Sequence, residues 1–192
     1  MNLRNESGSK NGKTSLREAG QFLLLAMAII LLFKFIFILV YIPTGSMEPT
    51  IKENSAAIGW RLGWLLSDPV PERGTIIVFD HEEFDNRLVK RVIGLPGDVI
   101  RISEGQVYVN GVKLDEPYIA ETPNDSCDRE FFVPEGKVFV LGDNRNSSND
   151  SRFWNNPFVE IHHIYANVLF RMNFLNPILQ YFDSFSLRGI SQ

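Results

Sequence analysis

A serine in a short polar turn is the first residue of this 192-residue chain placed to do covalent chemistry. Ser46 follows a glycine in the run PTGSMEPT, between Pro43 and Pro49. A serine on such a non-helical turn can present its hydroxyl and its backbone N–H in one direction, which is an arrangement that suits a nucleophile. Taken alone, a Gly-Ser pair close to a proline is more typical of an ordinary turn than of a catalytic site.

A lysine in a predicted strand is the second candidate. Lys90 lies in the middle of the β-branched run RLVKRVI, residues 87–93, and in a strand it shares one face with Leu88 and Val92. Burial between apolar neighbours disfavours the ammonium and lowers the lysine pKa, as a general base requires. Lowering the pKa by two to three units costs roughly 3–4 kcal/mol, which a folded domain can supply. The alternative is a lysine that reaches solvent from a half-buried strand.

A polar segment near the C-terminal end of the chain is the third candidate. The run GDNRNSSNDSR spans residues 142–152 and directly follows an apolar strand predicted at Val138–Leu141. Its Asp and Arg side chains can pair bidentately and fix a loop beside a site. A solvated loop would have the same composition, but it would not explain two Asp–Arg pairs spaced so closely.

A long apolar segment precedes all three candidates. From Phe22 to Ile42 every residue except Lys34 is apolar, and about 20 such residues span the core of a bilayer. The run is longer than the usual 7–15 residues of a secretory signal, and no A-x-A-like cleavage site follows it. We therefore predict an uncleaved transmembrane anchor at residues 21–42, in which Lys34 faces protein or reaches the interface.

The distribution of charge excludes some partners and predicts an orientation. The net charge is −4, but residues 1–21 carry four basic and two acidic side chains, so the remainder sums to −6. An acidic domain argues against nucleic acid as a partner. A basic leader before a span favours a cytoplasmic N-terminus. The sequence thus predicts a cytoplasmic tail at residues 1–20.

The cysteine and histidine content argues against a disulfide and against a metal centre. Cys127 is the single cysteine, so an internal disulfide and a cysteine-based zinc site are both excluded. The three histidines, at positions 81, 162 and 163, show no metal-ligand spacing. We therefore predict no metal and no cofactor.

The chain beyond Pro43 is predicted to be mostly β structure. Short β-branched or alternating runs are separated by turn residues, and Asn110-Gly111 is a strong hairpin signal. No long amphipathic helix and no internal repeat competes with this interpretation. The predicted strands are residues 74–80, 87–93, 99–103, 106–109 with its hairpin partner, 130–133, 137–141 and 165–172.

Taken together, the three segments resemble the bacterial-type type I signal peptidases, or leader peptidases. PTGSMEPT follows one hydrophobic span, RLVKRVIGLPGD comes about 40 residues later, and GDNRNSSNDSR lies near the end. The resemblance extends from about Tyr41 to Arg152. It implies an antiparallel β-sheet catalytic domain behind a single N-terminal transmembrane helix. It also implies removal of signal peptides from exported preproteins at the extracytoplasmic face.

The resemblance also implies roles for individual residues. Ser46 is the expected nucleophile and Lys90 the expected base of a Ser–Lys dyad that forms an acyl-enzyme. The Ser46 N–H and the Thr44 hydroxyl correspond to the oxyanion hole. Ser148 corresponds to the serine that orients the lysine, and Asp150 with Arg152 to a supporting ion pair. The small apolar pockets for an Ala-x-Ala type site are expected from Ile42, Pro43, Met47 and Val89.

The expected domain organisation follows from the motifs. The extracytoplasmic catalytic domain is predicted at residues 43–173, with a small variable insert at 101–137. An apolar tail at 174–192 is too short for a second span and would lie on the bilayer or cover a sheet edge. The expected partners are signal peptides and the lipid bilayer.

Two other classes of protein remain as alternatives. A membrane-tethered binding or scaffold domain would keep the span and the β fold without a working dyad. A self-cleaving repressor-type peptidase would share the Ser–Lys chemistry, but the 14-residue polar tail is too short for a DNA-binding domain. Loss of cleavage on mutating Lys90 separates an enzyme from a scaffold.

Overall fold

The computed structural model describes residues 11–124 and 127–172 of the chain. It divides into two units, one that ends at Ile36 and one that begins at Phe37. The predicted apolar tail at 174–192 and the first ten residues of the predicted cytoplasmic tail lie outside the described residues.

The first unit is the helix α1, Asn11–Ile36. Its 20-residue part Arg17–Ile36 contains an 18-residue window with a mean hydropathy of 2.2. At a rise of 1.5 Å per residue this part is about 30 Å long, which matches the hydrocarbon core of a bilayer. By length and composition, α1 can therefore cross a membrane.

The helix ends earlier than the sequence predicted. The anchor was expected to reach Ile42, but residues Phe37–Ile42 form strand β1 of the second unit. The segment FILVYI is as apolar as the helix before it, so hydropathy does not mark the boundary. Its β-branched and aromatic residues favour a strand once a neighbouring strand is available to pair with them.

The described part of the second unit is built mainly of strands. Its α-helical segment is α2, Leu62–Leu66, and 3₁₀ turns occur at Gly45–Met47, Arg145–Ser147 and Ile161–His163. The strands after β1 are β2 Ser55–Trp60, β3 Ile76–His81, β4 Phe84–Gly94, β5 Val99–Ser103, β6 Gln106–Val109, β7 Val112–Lys113, β8 Arg129–Phe132, β9 Lys137–Leu141, β10 Val159–Glu160 and β11 Ile164–Met172.

Two antiparallel sheets organise these strands. The larger sheet has the order β1-β2-β11-β3-β4-β9-β10, and the smaller has the order β7-β6-β5-β8. Every strand pair in both sheets is antiparallel. The predicted fold class, an antiparallel β domain with one N-terminal apolar helix, is confirmed. The smaller sheet overlaps the region that the sequence predicted as an insert at 101–137.

Most of the predicted strands are present, and the predicted hairpin is confirmed. Asn110 and Gly111 have φ angles of 52° and 81°, and β6 pairs with β7 across them. Two successive positive φ angles are what the type I′ hairpin turn requires, and Asn-Gly adopts them readily. The sequence did not predict β1, β2, α2 or β10, which are short or lack a clear alternation of apolar and polar residues.

The core divides into three apolar clusters, one of which underlies the region of Ser46. That cluster joins residues from β1, β2, β3, β4 and β11 with two residues that follow β1 in the chain. Its buried members are Val40, Ile42, Met47, Ile51, Ala57, Val78, Val89 and Ala166. The polar turn at Ser46 is thereby fixed to the sheet on its apolar side.

Candidate active site

Ser46 lies in a turn held from both sides. The chain leaves β1 at Ile42 and enters the 3₁₀ turn Gly45–Met47, in which the Glu48 N–H donates to the Gly45 carbonyl at 3.1 Å. Asn144 closes the turn from the other side. Its backbone N–H donates to the Ser46 carbonyl and its side-chain amide donates to the Gly45 carbonyl, both at 3.1 Å. The backbone around Ser46 is therefore fixed.

Lys90 reaches Ser46 from the middle of the large sheet. It lies in β4, where Lys90 pairs in register with Ile77 of β3. The Lys90 Nζ donates a hydrogen bond to the Ser46 Oγ at 2.8 Å. Lys90 is only 2% exposed and Ser46 is 9% exposed. The structure thus brings together the two residues that the sequence predicted as base and nucleophile.

Burial changes the acidity of Lys90. The pKa of Lys90 is lowered from 10.5 to about 8, chiefly by desolvation; Arg152 also lowers it, whereas Asp150 and Asp143 raise it. Because an ammonium loses its hydration when it is buried, the neutral amine is favoured. A pKa near 8 leaves an appreciable fraction of neutral amine at physiological pH, as a general base needs.

Thr44 places a second hydroxyl beside Ser46. The Thr44 Oγ1 lies 3.4 Å from the Ser46 Oγ. The two residues flank Gly45, so both hydroxyls lie at the same end of the turn. A hydroxyl beside the nucleophile can donate to the oxyanion that forms when a carbonyl is attacked. This position supports the role that the resemblance implied for Thr44, which stays a prediction.

The loop after β9 supports the site through a buried ion pair. Arg152 Nε donates to Asp150 Oδ1 at 2.8 Å, and Arg152 Nη2 donates to Asp150 Oδ2 at 3.0 Å. Asp150 also accepts from the Gly142 N–H at 3.0 Å. Both side chains are almost fully buried. The predicted pair is therefore formed, and it ties the end of the loop to its beginning.

Ser148 lies close to Ser46 but is not bonded to Lys90. A Cβ added to Gly142 would lie 2.5 Å from both the Ser148 Cβ and the Ser46 carbonyl oxygen. Gly142 is thus enclosed between Ser148 and Ser46. Among the residues that the structure describes, none forms a hydrogen bond with the buried Ser148 Oγ. Its expected role in orienting Lys90 therefore stays a prediction.

Other charged residues beside the site were not singled out from the sequence. Arg91 forms a bidentate pair with Asp143, with bonds of 2.7 Å and 2.6 Å. The close Asp–Arg spacing at 143 and 145 suggested a local pair, but Arg145 pairs instead with Glu116, its Nη1 donating at 3.0 Å. The Tyr118 hydroxyl donates to the same Glu116 at 2.7 Å. Only tertiary contacts reveal these partners.

The four residues predicted to line the substrate pocket lie close to the dyad in sequence or in the sheet. Ile42, Met47 and Val89 are buried in the core cluster under the turn, and Pro43 is half-buried. In this structure Met47 presents no surface to solvent. Pro43 therefore offers the largest exposed apolar surface of the four.

The histidines do not enter the site. In the described residues, Glu160, His162 and His163 have potential ligand atoms within 4.8 Å of one another, which the histidine spacing alone did not indicate. This group is largely solvent-accessible, and Glu160 is paired with Lys137 at 3.3 Å. Lys137 begins β9, whereas the loop that carries Asp150 follows the other end of that strand. The group is thus separate from the dyad.

Comparison with known proteins agrees with the geometry. The family model described as signal peptidase, peptidase S26, matches residues 16–173. This chain belongs to that family. The resemblance inferred from the three motifs is confirmed, and the family identifies a serine peptidase of the signal peptidase type.

Individual relatives carry the same description. A Bacillus licheniformis protein named signal peptidase I is 34% identical over 157 residues, which are 77% of this chain and 83% of the relative. A Synechocystis protein named "Probable signal peptidase I-2" is 47% identical over 120 residues, 59% of this chain and 54% of the relative. The chain thus spans about half the length of the latter.

A solved structure is also similar. The crystal structure of a signal peptidase I from Enterococcus faecalis V583 aligns with 54% of this chain and 100% of the other chain. The sequence identity is 36% and the TM-score is 0.45.

Proposed function

We propose that this protein is a membrane-bound serine endopeptidase that removes N-terminal signal peptides from exported preproteins, after small residues at Ala-x-Ala type sites. The observation that carries the proposal is the buried hydrogen bond of 2.8 Å from Lys90 Nζ to Ser46 Oγ. A serine is a weak nucleophile until a base takes its proton, and Lys90 is the base in hydrogen-bond range.

In the acylation step, neutral Lys90 accepts the proton of the Ser46 hydroxyl as Oγ attacks the carbonyl carbon of the scissile peptide bond. The Ser46 N–H and the Thr44 hydroxyl stabilise the resulting oxyanion, and losing one such donor typically costs about 2.7–4 kcal/mol. Protonated Lys90 then returns the proton to the leaving amine. The carbon–nitrogen bond breaks, and the signal peptide stays as an ester on Ser46.

In the deacylation step, a water molecule attacks the ester and gives its proton to Lys90. The ester bond breaks, Lys90 passes the proton to the Ser46 oxygen, and the signal peptide leaves with a free carboxyl group, which then loses its proton to solvent. The dyad returns to its starting state. Lys90 acts as base in each attack and as acid in each departure.

An exposed apolar patch on the second unit supports a position at the bilayer surface. Large apolar side chains on β1, α2 and β11 are 40–76% exposed. β1, β2 and β11 are neighbours in the large sheet, and the Trp64 indole of α2 donates to Asn167 of β11 at 3.2 Å. Contiguous exposed apolar surface marks a contact with a membrane or a protein. The patch consists of Leu39, Leu65, Leu66, Leu169 and Phe170.

The proposed activity is tested on the full chain in non-ionic detergent micelles, with a preprotein that carries an Ala-x-Ala site. We expect one cleavage after the final alanine, read by sequencing the new N-terminus. Ser46→Ala and Lys90→Ala should each abolish cleavage, and the double variant should be no worse, because residues that act as a unit are not additive. Lys113→Ala, at an exposed lysine in β7, is the matched control.

Cleavage at the wild-type rate by folded Ser46→Ala would contradict the assignment of the nucleophile. No cleavage by the wild type would favour a binding or scaffold domain instead. Far-ultraviolet circular dichroism shows whether each variant is folded.

The proposed orientation has residues 1–20 in the cytoplasm and the domain from residue 43 on the extracytoplasmic face. The basic leader supports this orientation. Protease added to intact cells or right-side-out vesicles should digest the domain and spare the leader. Digestion of the leader alone would show the opposite orientation.

A further inference from the structure

A cleft lined mainly by charged and amide residues opens beside the turn that carries Ser46, and the proposed dyad chemistry does not use it. It has a volume of about 250 Å³ and lies between the segment after Ser46, the loop at residues 120–121 and the residues after Gly142. This volume is below the range of about 300–1,000 Å³ typical of pockets for drug-sized ligands. A cleft of this size suits a few residues of an extended chain.

The cleft is continuous with the turn that carries Ser46. Asn144 lines the cleft and also donates to the Ser46 carbonyl at 3.1 Å. Glu48 lines it from the other side, two residues after Ser46. A Cβ added to Gly45 would lie 3.5 Å from the Glu48 Cδ. The Glu48 carboxylate therefore packs against the backbone directly before the nucleophile.

The polarity of the cleft differs from that of the surface expected to meet the signal peptide. Pro43, which precedes Ser46, is apolar and half-buried, and the exposed Leu39 of β1 is apolar as well. The cleft instead follows Ser46 in the chain and is lined mainly by charged and amide side chains. A bound preprotein crosses Ser46 at its scissile bond, so its apolar signal side and its mature side extend away in opposite directions.

We propose that this cleft binds the first residues of the mature protein beyond the scissile bond, and that Glu48 and Glu121 make it favour basic over acidic side chains there. This inference rests on the proposed function and adds a specificity to it. The mature protein carries the nitrogen of the scissile peptide bond, and after acylation it leaves through the cleft with a free amine.

The charge preference follows from which groups in the cleft are already paired. Asp143 is bonded to Arg91, and Arg145 is bonded to Glu116. The Glu48 carboxylate accepts from the Glu53 N–H at 3.2 Å. The Glu121 carboxylate accepts from the Asn146 amide at 3.3 Å. Neither contact neutralises the carboxylate.

A single lysine opposes these two carboxylates. Lys52 is exposed at the rim of the cleft, and in the described residues it forms no ion pair within 4.0 Å. The two carboxylates of Glu48 and Glu121 and the single ammonium of Lys52 thus leave the cleft with one excess negative charge. These groups are hydrated, so each contributes no more than a solvent-exposed ion pair does. We therefore expect kcat/KM to be about two- to fivefold higher for a basic than for an acidic side chain in the cleft.

The test compares three peptides that share an identical signal side through Ala-x-Ala and an identical first mature residue. They differ at the second and third mature residues, which are Lys, Gln or Glu. With the full chain in non-ionic micelles, we expect kcat/KM to fall in the order Lys, Gln, Glu. Glu48→Gln and Glu121→Gln should each reduce the ratio of kcat/KM for the Lys peptide to that for the Glu peptide. In the wild type, about 1 M salt should also reduce this ratio, because such salt shortens the Debye length to about 3 Å.

Glu130→Gln, at an exposed carboxylate in β8, is the matched control and should keep the wild-type ratio. Equal cleavage of all three peptides by the wild type would overturn the inference and leave the proposed function standing. An unchanged ratio in both Glu48→Gln and Glu121→Gln would overturn it as well. If no peptide were cleaved, the proposed function itself would fail, and the subsite with it.

Discussion

Lys90 and Ser46 are 44 positions apart in the chain, and their side chains meet at 2.8 Å. In the large sheet β2, β11 and β3 lie between β1, which leads to Ser46, and β4, which carries Lys90. The turn after β1 must therefore come back past these three strands to reach Lys90. Met47 and Ile51 hold it there, because they pack with Val78 and Val89 in one buried cluster.

The pH dependence of cleavage should report the titration of Lys90. Because the neutral amine is the active form, kcat/KM should rise about tenfold per pH unit below the pKa and level off above it. Burial lowers the pKa of Lys90 to about 8, so the midpoint should lie near that value. Peptide cleavage between about pH 6 and about pH 10 measures it.

Lys90→Arg should be inactive throughout this pH range, because the guanidinium stays protonated and cannot accept a proton. Its fold is checked by circular dichroism. Cleavage by folded Lys90→Arg at the wild-type rate would contradict the role of Lys90 as base.

Removal of the Lys90 amine should stabilise the fold at neutral pH. Burial holds the pKa of Lys90 at about 8 in the folded state, against 10.5 ordinarily. The unfolded chain therefore binds more protons between these values, so wild-type stability rises with pH from about 8 to about 10.5. Below pH 8 the buried ammonium lowers the free energy of unfolding by its full amount, on the order of 3 kcal/mol at about 1.36 kcal/mol per pKa unit.

Lys90→Met should thus be more stable than the wild type at pH 7 by about 2 kcal/mol, since it also loses one hydrogen bond of about 1 kcal/mol. The difference should shrink above pH 8. Thermal unfolding in micelles at several pH values measures it, with Lys113→Met as control. A difference that does not vary with pH would show that the buried charge is not its source.

Gly142→Ala should inactivate the enzyme with little loss of secondary structure. The added Cβ would lie 2.5 Å from the Ser46 carbonyl oxygen, which is closer than real Cβ contacts. The turn or the loop must move, and a displacement of about 1 Å can cost about 100-fold in rate. Peptide cleavage by folded protein measures the loss.

Gly63→Ala is the control for this substitution. Gly63 lies in α2, and its added Cβ would approach the Trp60 indole nitrogen at an ordinary 4.0 Å. Alanine favours a helix over glycine, so this variant should keep its activity. Wild-type activity in Gly142→Ala would show that the close packing of Ser46 against Gly142 is not required.

The sequence by itself determined the motifs and most of the strands. Strong local signals carry this information: the Asn110-Gly111 pair fixes a hairpin, and the run at 87–93 places Lys90 between apolar neighbours. Three motifs in a fixed order then indicated the family. Local patterns suffice here because strand alternation and turn chemistry depend on adjacent residues.

The tertiary structure alone decided where the helix ends and which charges pair. Phe37–Ile42 is as apolar as the helix before it, and only pairing with β2 makes it a strand. Asp143 bonds to Arg91 although Arg145 is nearer in sequence, because β4 and β9 are neighbours in the sheet. Such partners depend on which strands the fold makes adjacent, and no local pattern of residues encodes that.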